Sequence, residues 1–575
     1  MRMNASKRKS KKGRLLTALF PRGQERTLTV FLTASVFLCG LYPYWCALLA
    51  GAFLALMLYR VVKKGKTIVF PLSLASVAIC IAVLFYLLSV CWAIDKGMAF
   101  LGFLKYLPVP LFIILTATID VDRERLLQSL ARAGGLSVAI CLILCIVPDL
   151  RSVFIIEGRF SGPFQYANAY GLFLLAGIVI LTVKRPTLKL DYIICALCSL
   201  GVFLSGSRSL FVLAAVVFVL LLFINRQIVF ASGAGLLAAV IMSLLFTMTG
   251  TLQRSADISF SSGEWLTRLA YYQDGLRLVF EKPFGLGHLG WWYMQPAIQT
   301  SVYDVRLIHN WLLQAALDIG VIPALFLAVS AVTLFFHKRH GYREKLLIAL
   351  ILGHGLIDFD LAFIPVVFIL VLLLPIDSTV RLQTEGKRMI APLALCSIAA
   401  AVSLWLGTAS FLSYVNWDKA AVSVYPAYTE AMEKAIISEP DPDQALLWSN
   451  KTLSCNQYIF DAYNVKSKVY ADKGMLVDAV EMKLEYLSIA RLQGRDYDEL
   501  LMYIHYAIQQ AASEGDVESC RNLADLALKV PDTLEELSKT LSPLAYRLKH
   551  QPTLLLSEDS TRFLAYIQGF KATLE

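Results

Sequence analysis

From about residue 27 to about residue 411 the chain is a succession of apolar stretches, most of them close to twenty residues long, with charges gathered into short clusters between them. About twenty apolar residues in helical form cross the hydrocarbon core of a bilayer, so this pattern predicts an all-α, polytopic membrane protein. Composition agrees: 57% of the 575 residues are hydrophobic and 17% are charged, against roughly a quarter charged in soluble domains. About thirteen spans are expected, at 27–45, 46–62, 69–94, 98–118, 134–150, 166–183, 190–206, 209–224, 228–249, 310–336, 345–359, 361–376 and 389–411. The second, eighth and eleventh stand at the short end of the usual range, and the tight HGLIDFD turn at 354–360 is compatible with a re-entrant hairpin. Three units follow: a basic N-terminus (1–26), a transmembrane domain (27–411) with one large loop at 250–309, and a helical domain (412–575) of soluble composition.

Lys and Arg collect on the cytoplasmic side of short loops because they translocate poorly. KRKSKKGR (7–14), RVVKKGK (60–66), DRERLLQSLAR (122–132), KRPTLK (184–189), NRQ (225–227), HKRHGYREK (337–345) and RLQTEGKR (381–388) all fall on one side of the span map. The N-terminus is therefore expected in the cytoplasm. The 250–309 loop, the segment RSVFIIEGRFSGPFQYANAYG (151–171), the turn SGSRS (205–209) and everything beyond about 412 are expected outside. The net charge of +10 is accounted for by this topology, so nucleic acid is not an expected partner. The basic start is too charged and too far from a small-residue cleavage site for a signal peptide, and the first span is expected to remain as an anchor.

Beyond residue 412, DPDQALLWSNKTLSCN (441–456), YIFDAYNVKSKVYADKG (458–474) and MLVDAVEMKLEYLSIARLQG (475–494) place apolar residues three and four apart and end in Gly or polar turns. They predict amphipathic helices resembling a degenerate tetratricopeptide-type array. Such an array is either a docking platform for a glycan or protein partner or a helical cap on the outer face. Nine of the eleven cysteines lie in or beside apolar spans, where a thiol is a small buried hydrophobe. CALC (195–198) lies inside a span without a ligand histidine, so no metal or other cofactor is expected; Cys455 and Cys520, in the soluble part, are a candidate pair.

Ionisable residues held at the ends of membrane spans are costly and are functional candidates by default. On the expected outer face these are Arg159 after the fifth span, Arg208 in the turn between the seventh and eighth, Arg268 and Arg277 in the large loop, and His309 with Asn310 at the start of the tenth. An arginine there can also snorkel to headgroups, but the cytoplasmic bias of basic residues does not account for arginines on the other face. GHLGWWYMQ (287–295) sets Trp291 and Trp292 either to stack on sugar rings or to lie in an interfacial aromatic belt. Asp358 and Asp360, in the late outer turn, either orient an arginine, bind sugar, or form a structural pair.

GRFSGPFQYANAYG (158–171), GSRS (206–209), TRLAYYQDGLRLVFEKPFGLG (267–287) and HNWLLQAALDIGVIPALFL (309–327), in this order and spacing, resemble the O-antigen ligase and polymerase superfamily. The resemblance covers roughly residues 150–330, the other spans only by hydropathy, and the soluble tail hardly at all. It implies a metal-independent glycosyltransferase of C-type membrane fold in the bacterial cytoplasmic membrane. Such enzymes move a glycan from a polyprenyl diphosphate carrier onto a glycan, lipid or protein acceptor outside. By resemblance Arg208, Arg268 and His309 are the principal functional residues and Arg159 a further basic one; Arg277, Asn310, Trp291 and Trp292 are candidate substrate contacts. Guanidinium groups suit a diphosphate leaving group because they are permanently charged and donate paired hydrogen bonds. His309, with an unperturbed pKa of ~6.5, suits acceptance of the acceptor hydroxyl's proton. Ligase, polymerase and protein oligosaccharyltransferase share this equipment. A transporter or flippase, the rival of another class, would show repeated halves and charged sites at mid-membrane, and no such symmetry is present.

Overall fold

The computed structural model describes residues 23–119, 121–182, 189–245 and 263–574. The KRKSKKGR run, most of KRPTLK and the first part of the large loop lie outside the described residues. The protein is mostly helical, 76% helix and 3% strand, as an all-α membrane fold requires.

The membrane-type part runs α1 Gln24–Phe37, α2 Tyr44–Lys63, α3 Leu74–Ser89, α4 Lys96–Tyr106, α5 Pro108–Thr118, α6 Arg123–Leu144, α7 Pro148–Phe154, α8 Ala167–Leu181, α9 Lys189–Leu204, α10 Arg208–Leu222 and α11 Arg226–Leu245. After the large loop's own helices, α12 Gly263–Glu281 and α13 Gly290–Ile298, come α14 Trp311–Ile319, α15 Val321–Phe335, α16 Tyr342–His354, α17 Ile364–Leu372 and α18 Ile390–Tyr414. Two short antiparallel ladders accompany them: β1 Ile68–Pro71 pairs with β4 Thr379–Leu382, and β2 Ile155–Ile156 with β3 Arg159–Phe160.

Among the described residues, four helical segments are long and apolar enough to cross a membrane: Tyr44–Lys63, Lys96–Thr118, Arg123–Leu144 and Gly386–Tyr414. Leu74–Ser89, Ala167–Leu181, Arg208–Leu222, Arg226–Met242 and Val321–Phe335 are shorter apolar helices. Several expected boundaries move. DRERLLQSLAR is not a loop but the opening of α6, because Asp122 caps it by accepting hydrogen bonds from the backbone N–H groups of Glu124 and Arg125. The expected 310–336 span is broken at Gly320, whose φ of 95° is open to glycine but strained for other residues. The open ends at this break are satisfied from outside: Leu286 and Gly287 donate to the Leu317 and Asp318 carbonyls of α14 at 2.7 and 3.0 Å, and the first N–H of α15, that of Val321, donates to the Pro283 carbonyl at 2.9 Å.

The helices pack through small residues. α9 crosses α11 so closely that a Cβ on Gly235 would stand 1.9 Å from the Ala196 carbonyl oxygen, so the two backbones touch as in other small-residue membrane crossings. At one end of the bundle charged residues tie the basic segments together: Arg125 to Glu25, Arg343 to Glu124, Arg132 to Asp191, and His337 to Asp377. Arg159, Arg208, Arg268 and His309 are not part of these pairings.

Beyond α18 come α19 Asp418–Val424, α20 Thr429–Ile437, α21 Pro442–Cys455, α22 Phe460–Asp472, α23 Leu476–Ile489, α24 Gly494–Glu514, α25 Val517–Thr540 and α26 Glu558–Leu574, each packed on the next. The array is seated on the loops it follows. Tyr425 OH donates to the Gly97 carbonyl at 3.0 Å, Asn456 Nδ2 to Asp95 at 3.1 Å, and Ser542 N–H to the Thr300 carbonyl at 2.9 Å. Cys455 and Cys520 do not pair; all eleven cysteines are free.

Candidate functional site

Four segments far apart in sequence meet around Asp358, which is 1% exposed in the turn after α16. Its Oδ1 accepts from Tyr166 OH at 2.7 Å and from the Phe359 N–H at 2.8 Å. Its Oδ2 accepts from Asn168 Nδ2 at 2.6 Å and faces Arg268 Nη2 at 3.5 Å. Tyr166 and Asn168 are aimed by the start of α8: Tyr166 is the extended residue before the helix and Asn168 stands in its first turn. The other side of the Asn168 amide binds Arg159, so one side chain links Arg159 to Asp358.

Arg159 is held by a hairpin. Glu157 and Gly158 both have positive φ, 51° and 71°, the conformation of a two-residue turn joining β2 to β3. That turn presents Arg159, whose Nε donates to the Ser205 carbonyl at 2.8 Å. Arg268 enters from α12 and donates Nη1 to the Ile357 carbonyl. One turn earlier on the same helix Glu264 accepts from Arg208 Nη2 at 2.6 Å, so α12 gathers both arginines. The start of α10, which carries Arg208, is fixed by Ser209: its Oγ meets His354 Nε2 at 2.9 Å, and His354 Nδ1 meets Asp360 at 2.6 Å.

His309 lies beside this cluster, its ring 5.0 Å from Phe359 and 5.7 Å from Tyr271. Tyr272 OH binds the His309 carbonyl, and Nδ1 is buried with no hydrogen-bond partner among the described residues. Burial lowers its pKa to about 4, with Asp358 opposing that shift and Arg268 adding to it. The imidazole is thus neutral at neutral pH. Asn310 is the cap of α14: its Oδ1 accepts from the N–H groups of Leu312 and Leu313 at 3.0 and 2.9 Å. That oxygen serves the helix start, which accounts for Asn beside His309 without a substrate.

Arg159, Arg208, Arg268 and His309 are therefore gathered at one place, and Asp358 is the arginine-orienting member of the late acidic pair. Three other candidates are not gathered there. Arg277 follows Arg268 by nine residues, about two and a half turns along α12, and pairs with Glu281 on an exposed face. Trp291 is fully buried, stacked at 6.3 Å on Tyr303, with its indole N–H on the Val305 carbonyl, so it offers no face to a sugar. Trp292 packs against the Arg306 guanidinium at 5.1 Å. Tyr166, Asn168 and His354 escaped sequence reasoning because uncharged or in-span polar residues carry no signal of their own. The QYAN tetrapeptide before an apolar run was the available clue.

An apolar cavity of about 180 Å³ adjoins the cluster. Leu307, Trp311 and Phe359 line it together with Ala82, Leu334 and Leu374. Phe359 thus faces both His309 and this cavity.

Fold and site define a helical protein of membrane type with an arginine and histidine cluster beside an apolar cavity. Residues 193–329 match the family model described as O-Antigen ligase, and this segment supports a place in the O-antigen ligase superfamily. The match takes in Arg208, Arg268 and His309, and leaves out Arg159, Asp358 and the C-terminal helices. No curated protein matches the chain. The family match and the apolar helices together support a bacterial membrane protein with a glycosyltransferase-like, cell-surface glycan ligase or polymerase role.

Proposed function

We propose that the protein transfers a glycan from a polyprenyl diphosphate carrier to an acceptor at the outer face of the cytoplasmic membrane, without a divalent ion and with inversion. The observation that carries this reading is the junction of the arginine and histidine cluster with the apolar cavity at Phe359, whose N–H bonds Asp358 and whose ring faces His309 and the cavity. A polyprenyl diphosphate needs both: hydrocarbon surroundings for the tail and fixed positive charge for the head. Arg159, Arg208 and Arg268 stabilise the diphosphate as negative charge grows on it. Arg268 uses two of its five N–H donors on Ile357 and Asp358, and the guanidinium keeps others for phosphate oxygens.

In the reaction the acceptor hydroxyl oxygen bonds to the anomeric carbon, the bond from that carbon to the diphosphate breaks, and the hydroxyl proton passes to His309. A single displacement inverts the carbon. A histidine with a pKa near 4 is a weak base, but a bound diphosphate places negative charge beside the ring and raises that value toward neutrality, so donor binding prepares the base. The N-terminus is cytoplasmic and the large loop and C-terminal array lie outside, in keeping with the basic segments tied together at the opposite end. The array, tetratricopeptide-like in its sequence pattern, is a platform for the acceptor or a partner, and its seating on Asp95 and Thr300 supports this.

Purified protein in liposomes with a polyprenyl diphosphate-linked glycan and a lipid, glycan or protein acceptor tests the reading. New glycosidic linkages are expected, and the acceptor used distinguishes ligase, polymerase and protein oligosaccharyltransferase. Translocation of the carrier without bond formation would establish a flippase instead.

A further inference from the structure

A second pocket lies on the other side of an aromatic wall from His309. The wall is Tyr42, Phe359 and Phe363: Tyr42 stacks on Phe363 at 4.8 Å, and Phe359 turns toward His309 on one side and toward Tyr42, at 6.3 Å, on the other. Behind it is a cavity of about 240 Å³ lined by Lys105, Arg306, Lys434, Glu430, Ser410 and Gln165. One water needs only ~10–15 Å³ of such space, so there is room for a charged sugar.

Lys105 sets the chemistry of this pocket. It belongs to α4 and is 4% exposed, yet its ammonium has no hydrogen-bond or ion-pair partner among the described residues. It rests on ring faces, 4.3 Å from the centre of Tyr42 and 5.5 Å from that of Tyr44. Buried ammonium groups are costly unless paired, and two tyrosine faces compensate only in part. The nearby carboxylate is already committed: Glu430 takes both Nη groups of Arg306, at 3.1 and 2.8 Å. Lys434, exposed at the mouth, donates to Ser413 at 3.4 Å. Three basic side chains therefore line the pocket with one carboxylate, Glu430, already committed to Arg306, and this lining suits an anion.

The surroundings identify the bearer of that anion. Seryl hydroxyls, the Gln165 amide and the rings of Trp45 and Tyr414 line the pocket, which suits a sugar ring rather than an acyl chain. Leu307 lines both this cavity and the apolar one, so a sugar held here stands next to the junction where the transfer is placed. Ser410 and Ser413 come from α18 and Glu430 and Lys434 from α20, elements beyond the stretch matched by the family model.

We infer that this pocket binds an oxyanion, a carboxylate or phosphate ester, carried on a sugar of the acceptor, with Lys105 and Arg306 as its principal contacts and Lys434 guiding entry. The inference rests on the proposed glycan transfer for the word acceptor, but its test is direct binding and needs no turnover.

Titration calorimetry on the detergent-solubilised full chain would compare glucuronate, glucose 6-phosphate, glucose and inorganic pyrophosphate. Glucuronate or glucose 6-phosphate should bind more tightly than glucose, and the stronger of the two distinguishes carboxylate from phosphate. Lys105→Met should weaken that ligand by roughly ten- to hundredfold, the loss of one charge-assisted contact, and Lys434→Ala by less. Arg268→Lys should weaken pyrophosphate and leave the anionic sugar unaffected. Equal binding of glucose and the anionic sugars to the unaltered chain would overturn the inference even if Lys105→Met failed to fold. So would sugar binding that survives Lys105→Met, or that is lost in Arg268→Lys, which would place the anion in the arginine cluster. Failed transfer in liposomes alongside intact, Lys105-dependent sugar binding would overturn the transferase reading and leave the pocket standing.

Discussion

Arg268→Lys is the most informative single perturbation. The guanidinium reaches two ways at once, Nη1 to the Ile357 carbonyl and Nη2 toward Asp358 at 3.5 Å, while its remaining donors are assigned to the carrier's diphosphate. Lysine is a point charge on a flexible stem and cannot hold that fork. The charge next to buried Asp358 is kept, so the variant should fold; what goes is at least one hydrogen bond to a charged group, worth about 1.5–3 kcal/mol. At about 1.36 kcal/mol per decade this is a fall of roughly ten- to one-hundred-and-fifty-fold in kcat/KM. The assay is transfer of a labelled glycan from its polyprenyl carrier in liposomes, with protein level and thermal midpoint measured in parallel. If the bond acts on charge that develops during transfer, kcat falls with kcat/KM; if it only binds donor, KM rises alone. Turnover within about twofold of the unaltered enzyme, well under the decade expected from one lost bond, would show that Arg268 merely ties α12 to the Asp358 turn, and the clamp would lose its central member.

Further expectations concern the base, the metal and the topology. His309→Gln keeps polarity but cannot accept a proton at neutral pH, so transfer should drop sharply while carrier binding persists; near-normal turnover would reduce His309 to positioning. Because burial lowers the His309 pKa to about 4, the ring stays in its neutral, proton-accepting form well below the ordinary ~6.5. The acid limb of kcat/KM, which reports the free enzyme, should accordingly lie below pH 5.5; a midpoint at 6.5 or above would contradict the buried, unpaired ring. Activity should persist in chelator, and loss restored by magnesium would contradict charge neutralisation by arginine alone. With the exposed Cys91 replaced by Ser, an impermeant thiol reagent on whole cells should label Ser513→Cys in the C-terminal array and spare Lys64→Cys after α2; the reverse pattern would remove the site from the outer face.

Hydropathy was sufficient to read an all-α membrane protein, because the bilayer imposes one requirement, internally bonded backbone within an apolar run, and that requirement is local in sequence. The arginines and His309 were legible for a related reason: ionisable residues at the ends of apolar runs are costly and therefore conspicuous. Other features depended on contacts between distant segments. Gly320 breaks the expected tenth span because residues 283–287 cross it and satisfy its open end, and Asp122 turns a supposed basic loop into the start of α6. Asp358 becomes the hub of the cluster only when α8, α12 and the turn after α16 converge on it. Trp291, a plausible sugar platform in isolation, is buried by Tyr303 and the Val305 carbonyl. Lys105 carried no signal inside its apolar run; its unpaired ammonium appears only once Arg306, from a loop two hundred residues on, has taken Glu430 from α20. Membrane insertion is written in single stretches of sequence, whereas a binding site is a sum of charges and donors from many, and only the folded chain brings those terms within reach of one another.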